Sequence, residues 1–243
     1  LGDGPAPDLI INASGVPYQV IPDSSGFIQQ ALGYSGIPSF SVHATCLSFA
    51  VALHTASGLV SGGAYRRILI VSSETGTIGR NYDEPESASL FGDGAAAAIV
   101  EPTPHGEGSA LLGFQMTTMP EGAPLTEVRG GGTRLHPNNP DVDTADNLFH
   151  MDGPKVYKMA LRRVVMTFKK LFDQVGVSRD DVALVVPHQA SGPGVAAVSR
   201  FGFDPDKVVS TVAEEGNCVA ASIPLALSRA NAEGRIKRGD LVL

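Results

Sequence analysis

The sequence predicts an α/β fold with mostly parallel strands, built from two copies of one β-α-β-α-β unit. Three observations carry this. Short apolar runs alternate with helical patterns along the whole chain. One run, residues 67–72 (RILIVS), has no polar alternation, as expected of a strand in a sheet covered on both faces. The order of the pieces also repeats. DLIINAS, a helix ending in ALG, FSVHAT, an apolar helix from Cys46 and GGAYRRILIV form the first set. VALVVPHQAS, a helix ending in RFG, VVSTVA, an apolar helix starting near Cys218 and GRIKRGDLVL form the second. The two sets share a pattern, with little residue identity.

Each element follows from its residues. Residues 8–13 (DLIINA) read as a buried strand. Residues 24–33 start polar and stop at Gly33, as a helix does. Residues 39–44 (SFSVHA) alternate like a strand. From Cys46 to about residue 62 the pattern is helical and apolar nearly all round, which predicts a buried helix. Residues 95–100 and 110–116 read as two further strands. Residues 120–147, rich in Gly, Pro, Asn and Asp, read as a long loop, and loops of that length usually carry a function. The longest helical pattern covers 153–175, with Pro154 in its first turn. Then follow a strand at 182–186, a short helix at 194–201, a strand at 208–211, a helix at 218–231 and a strand beginning at 240. The domain reading is an N-terminal half at 1–116, a connecting loop at 117–150 and a C-terminal half at 151–243.

Composition narrows the function classes. The 243 residues are 43% hydrophobic and 18% charged, which excludes disorder as a global description. A net charge of -7, no Trp and 6% aromatics argue against a nucleic-acid partner. No run of about 18 apolar residues is present, so no membrane span is expected. Cys46 and Cys218 are too few and too far apart for a disulfide framework; they fit a reducing compartment, and the cytoplasm is the expected location. The chain opens at Leu1 and stops inside an apolar run, so both ends are expected to be cut.

Three residues at strand ends or helix starts are candidates for chemistry: Cys46, His188 and Asn217. A helix N-terminus carries about half a positive charge and free N–H groups, which would lower the Cys46 pKa. The Cys46 N–H would serve as an oxyanion donor. A core cysteine fits the same position equally well. His188 follows Pro187 in a loop and, when neutral, donates through one nitrogen or takes a thiol proton; a satisfied structural histidine fits as well. Asn217 donates without titrating, or caps a helix. Cys218 reads as core. Asp141, Asp143 and Asp146 lack the Gly and Glu of a calcium loop and read as solvated charge. The remaining histidines, His150 included, show no metal-ligand spacing with the cysteines, and no metal is expected.

Residues 155–170 hold Lys155, Lys158, Arg162, Arg163, Lys169 and Lys170, six of the 18 cations, and no acid. Their apolar partners are Val156, Met159, Ala160, Phe168 and Leu171. Such a face suits a phosphate-bearing or acidic carrier, and equally an ordinary solvated surface.

At ATCLSFAVAL around Cys46, SLFGDGAAAAIV, VVPHQAS around His188 and GNCVAASIPLALSRANAEGRIKRGDLVL after Asn217, the sequence resembles the thiolase superfamily, specifically β-ketoacyl-acyl-carrier-protein synthase III. The resemblance implies duplicated βαβαβ halves in five layers, α-β-α-β-α, truncated here at both ends. It implies an acyltransferase of fatty-acid or polyketide synthesis. Cys46 would accept an acyl group from a thioester, and His188 and Asn217 would hold a malonyl thioester for decarboxylative Claisen condensation. No cofactor is implied; acyl-coenzyme A or acyl-carrier protein and a malonyl carrier are the substrates, and a homodimer is expected. Met151, Gly153 and Tyr157 resemble the family's pantetheine tunnel, and Lys155, Lys158, Arg162 and Arg163 would dock the carrier. Ile21 falls where the family places a bulky residue that reaches the partner's acyl pocket.

The sequence departs from the family at Ser191, usually Asn, and at Pro193, which replaces a basic docking residue. The family also has an opening segment and a glycine-rich final strand beyond these ends, so the first sheet is expected to lack a strand and the 243 residues alone to fold poorly. Two other readings remain: a related acyltransferase that forms an ester or amide or joins two acyl chains without malonyl, and an inactive fragment or non-catalytic subunit.

Overall fold

A computed structural model describes residues 4–243; residues 1–3, the start of the expected N-terminal half, lie outside the described residues. Strand β1 (Leu9–Asn12) is buried throughout. Helix α1 (Ser24–Ala31) begins at Asp23, whose carboxylate accepts from the Ser25 N–H. It leads to β2 (Ser39–Ser41), parallel to β1. Helix α2 (Ser48–Ser61) follows a 3-10 turn at Thr45–Leu47 and delivers β3 (Ile68–Thr75) to the other side of β1, again parallel. After the short helix α3 (Pro85–Ala88), β4 (Asp93–Val100) runs antiparallel to β3, and the sheet order is β2-β1-β3-β4.

A hairpin of β5 (Thr126–Glu127) and β6 (His150–Met151) spans the long loop. Helix α4 (Gly153–Val175) is capped by Asp152 and stopped by Gly176 in the left-handed region. The second unit follows: β7 (Val182–Leu184), α5 (Gly192–Ala196), α6 (Val212–Glu215), α7 (Ser222–Ala232) and β8 (Leu241–Val242). β8 lies parallel to β7 on one side, and Val208 bridges Val185 in parallel on the other. Each unit is therefore a central strand flanked by two parallel neighbours, the repeat that the sequence pattern predicts.

Packing stacks the two units. Successive strand residues face opposite sides. Leu9, Ile11 and Ala13 meet Phe49, Ala52 and Ala56 of α2. Leu184 and Val186 meet Ala226 and Ala230 of α7. Ile223 of α7 packs against both cores, so α2 and α7 form one middle layer. α1 lies on the outer side of the first sheet, and α4 brings Phe168 and Phe172 onto Val182, Val185 and Phe203 of the second. The order is α-β-α-β-α, five layers.

Four expectations are corrected. Residues 110–116 are not a strand: no strand runs beside them among the described residues, and Gly113 instead rests on Leu171 and Val175. Residues 208–211 make one bridge only, because the buried Gln189 side chain takes hydrogen bonds that a ladder would supply. Ala160 is exposed, and α4 has no fully buried residue, so its apolar stripe is half-covered. Asp146 is buried rather than solvated, paired with Arg129 at 2.9 Å.

The halves meet where space is shortest. A Cβ on Gly92 would lie 1.9 Å from the Glu215 carbonyl oxygen, a backbone atom that cannot step aside. In α2, a Cβ on Gly58 would meet nothing within 4 Å. Gly92→Ala is expected to cost roughly 2–4 kcal/mol in urea unfolding, while Gly58→Ala adds up to about 1 kcal/mol by removing backbone freedom. Equal effects would refute this account of the contact.

Candidate active site

The two middle-layer helices begin alike. Thr45 has φ 48° and Val219 has φ 46°, values that a β-branched residue rarely adopts. Each opens a 3-10 turn, Thr45–Leu47 and Val219–Ala221, and each turn runs into a helix that starts with a buried serine, Ser48 or Ser222. Cys46 thus has Ala220 as its counterpart. Ser48 Oγ accepts from the Ala44 N–H and donates to the Thr45 carbonyl, which holds the first turn closed. The turns touch. A Cβ on Gly15 would lie 2.5 Å from Val219 Cγ1 and 3.3 Å from the Thr45 carbonyl oxygen, so only glycine fits beneath them.

The thiol is not activated in the way the sequence reading expects. Burial, and then the negative charge of Glu74, push the Cys46 pKa up to about 11. Cys46 lies in the 3-10 turn ahead of α2, and its environment outweighs the helix end. Glu74, near the end of β3, is only 4% exposed. Burial raises its pKa to about 7, although the N–H groups of Gly15, Val16 and Ala220 favour the charged form.

His188 follows β7. Burial lowers its pKa to about 4, which leaves a neutral imidazole at pH 7, and its Nδ1 is buried without a partner. Its neighbour Gln189 is fully buried. Gln189 Nε2 donates to the carbonyls of Pro187 (2.9 Å) and Val209 (3.2 Å), and Oε1 accepts from the Thr211 N–H at 2.8 Å. These bonds clamp the loop that carries His188. Asn217 is held by backbone: its N–H donates to the Leu90 carbonyl (2.7 Å) and its carbonyl accepts from the Gly92 N–H (3.1 Å). Its Oδ1 accepts from the Val219 N–H at 2.9 Å, a cap on the 3-10 turn, and Nδ2 is left as the amide's remaining donor.

The structure therefore places Cys46 and Asn217 on or beside two touching turns. His188 stands at the carboxyl end of β7, in the same half as Asn217 and tied toward it through Gln189 and Thr211. Cys218 is buried, as read. The remaining candidates are more dispersed. Ile21 is 81% exposed on the loop before α1. Met151 pairs with Thr126, Gly153 opens α4, and Tyr157 Oη accepts from Arg200 at 3.1 Å. Ser191 Oγ accepts from the Gly194 N–H and caps α5. Lys155, Lys158, Arg162 and Arg163 are all exposed on α4, with Lys155 paired to Asp152 at 2.6 Å.

Sequence reasoning missed Glu74, Gln189 and Glu84. Glu84 accepts from His150 Nδ1 (2.6 Å) and from the Met151 N–H (3.3 Å), and the His150 bond holds its carboxyl below the usual range. It ties the residues around α3 to the approach to α4. One signal for Glu74 was available: an acid stands within the same short segment as the apolar run ILIV, in RILIVSSET.

Comparison with known proteins identifies the family and agrees with the fold. Residues 40–120 match the family 3-Oxoacyl-[acyl-carrier-protein (ACP)] synthase III, and residues 172–243 match its C-terminal region. Beta-ketoacyl-[acyl-carrier-protein] synthase III of Clostridioides difficile is 33% identical over 237 residues, which is 97% of this chain and 71% of that protein. Beta-ketoacyl-[acyl-carrier-protein] synthase III 3 of Streptomyces coelicolor is 35% identical over 238 residues, with the same coverage. The crystal structure of 3-oxoacyl-[acyl-carrier-protein] synthase III from Aquifex aeolicus superposes with a TM-score of 0.85 at 29% identity, covering 97% of this chain and 71% of that one. With the duplicated fold, the paired turns and both family regions in place, the chain belongs to the β-ketoacyl-acyl-carrier-protein synthase III family of condensing enzymes.

Proposed function

We propose that Cys46 carries the acyl group and that His188 and Asn217 hold the second substrate. The halves at 1–116 and 151–243 would then divide the work, nucleophile from one and donors from the other. In the first step, Cys46 Sγ bonds to the acyl carbon of a thioester, the carrier thiolate leaves, and the thiol proton ends on that leaving sulfur. In the second, a malonyl thioester loses carbon dioxide. Its enolate carbon bonds to the acyl carbon, and Cys46 departs as thiolate and is reprotonated. A β-ketoacyl thioester results.

The observation that carries this reading is the contact between the Cys46 turn and the turn capped by Asn217. Two further features support it. A thiol with pKa about 11 is about 10⁻⁴ ionised at pH 7, so it needs a proton acceptor as it attacks. A neutral His188 suits that role, and also that of a donor to the enolate oxygen beside Asn217 Nδ2. The residues need no metal or redox group for this chemistry.

The carrier is assigned to the cationic face of α4, where Lys158, Arg162 and Arg163 are exposed, with Arg200 beside Tyr157. A homodimer is assigned to the β2 edge of the first sheet, where Phe40 is 38% exposed. Tyr18, Val20 and Ile21 project from the loop between β1 and α1 with 78–82% exposure, more apolar surface than a monomer usually leaves to water. No helix among the described residues is long and apolar enough to cross a membrane, and cytoplasmic location fits the free cysteines.

Three measurements test these assignments. Intact mass after incubation with acyl-coenzyme A thioesters is expected to show an adduct that Cys46→Ala abolishes. Asn217→Ala should retain the adduct and lower carbon dioxide release from a malonyl thioester about 10²-fold or more, while His188→Ala should lower that release and also slow adduct formation, because the proton acceptor is gone; adducts that survive in the Cys46 variant would overturn the nucleophile. Lys158→Glu with Arg162→Glu should raise KM for carrier-bound substrate at least tenfold, roughly, and leave the coenzyme A reaction within about threefold. Sedimentation analysis should give twice the chain mass, and Phe40→Lys should shift it to one chain; a monomeric parent protein would exclude the dimer.

A further inference from the structure

Among the described residues, Glu74 is the buried acid whose charge acts on the thiol, and the proposed chemistry makes no use of it. It leaves the first sheet near the end of β3 and accepts from the Gly15 N–H at 2.5 Å and the Val16 N–H at 3.3 Å. The space around Gly15 is where the parts of the site converge. A Cβ there would lie 2.5 Å from Val219 Cγ1, 3.3 Å from the Thr45 carbonyl oxygen and 3.4 Å from Glu74 Oε1. The carboxylate therefore sits at the node shared by three segments: the turn after β1, the Cys46 turn and its counterpart from the other half.

We propose that Glu74 is a positioning residue for Cys46: its buried carboxylate fixes the Gly15–Val16 turn, and that turn sets the two strained 3-10 turns against each other. The proposal rests on the reading of Cys46 as nucleophile but adds a residue that this reading does not require. A second consequence follows from the same place in the fold. With a pKa of about 7, Glu74 is an anion over the alkaline range in which the thiol ionises, so its charge opposes the thiolate while its reach holds the thiol in position. These two effects separate by substitution. The ionisable groups that face Glu74 from the two turns are Cys46 and Cys218; Asp93 of β4 and Glu215 of α6 act on Cys218, and Arg229 pairs with Glu215 at 3.3 Å.

Glu74→Gln keeps the length and removes the charge. Glu74→Asp keeps the charge and shortens the reach by one methylene. The test measures iodoacetamide alkylation of Cys46 by peptide mapping, which separates it from Cys218, between pH 7 and 11, alongside acyl-adduct formation by intact mass. Glu74→Gln should move the alkylation midpoint down by about one pH unit, so that alkylation below it is about tenfold faster. Glu74→Asp should leave the midpoint in place and slow acyl transfer about tenfold. Circular dichroism confirms that each variant is folded, and Glu74→Gln is the variant least disturbing to packing. An unmoved midpoint in Glu74→Gln, or acyl transfer within about threefold of the parent protein in Glu74→Asp, overturns the proposal. Alkylation needs no acyl donor, so a parent protein that alkylates but takes no acyl group refutes the condensing chemistry and leaves the alkylation arm to decide the case of Glu74.

Discussion

Two backbone hydrogen bonds hold the site together across the halves of the chain. The Asn217 N–H donates to Leu90 and the Gly92 N–H donates to Asn217, at 2.7 and 3.1 Å. They form an isolated parallel bridge, Phe91 with Asn217, just ahead of β4. A backbone-to-backbone approach of this kind leaves no room for side chains. Gly92 would collide with Glu215, and Gly216, at φ 69°, would put a Cβ 2.9 Å from the Leu90 carbonyl oxygen. The glycines of FGDG and EEGN are therefore the condition for Asn217 to lie beside the turn of the other half.

From that contact the rest of the site follows by symmetry. The two units present equivalent turns, and the chain has kept the strained left-handed residue in both, Thr45 and Val219. Only one turn carries a thiol; the equivalent place holds Ala220. The spare capacity of the second turn is used differently, since Asn217 caps it and leaves Nδ2 unspent. Duplication thus gives a scaffold with two like positions, and the chemistry comes from making them unlike.

The electrostatics are those of a buried, mostly neutral site. His188 is neutral because burial opposes its charge, and Cys46 is a thiol for the same reason. Such a pocket discourages permanent charge and favours groups that exchange a proton during reaction. The cations of α4 stand outside, exposed to solvent that screens them.

The sequence by itself determined the fold class, the repeat, and Cys46, His188 and Asn217 as the residues to examine, because apolar periodicity and strand-end position are local properties. It also located α1, α2, α4 and β3 closely, each bounded by its own caps or glycines. It could not determine the thiol's pKa, the role of Glu74 or Gln189, or the loss of ladder at 110–116 and 208–211. Those depend on which groups face one another across a large separation in the chain: Glu74 is 59 residues from Gly15, and Gln189 is 22 from Thr211. Burial, charge proximity and hydrogen-bond replacement are decided only when the five layers close, so only the tertiary structure could decide them.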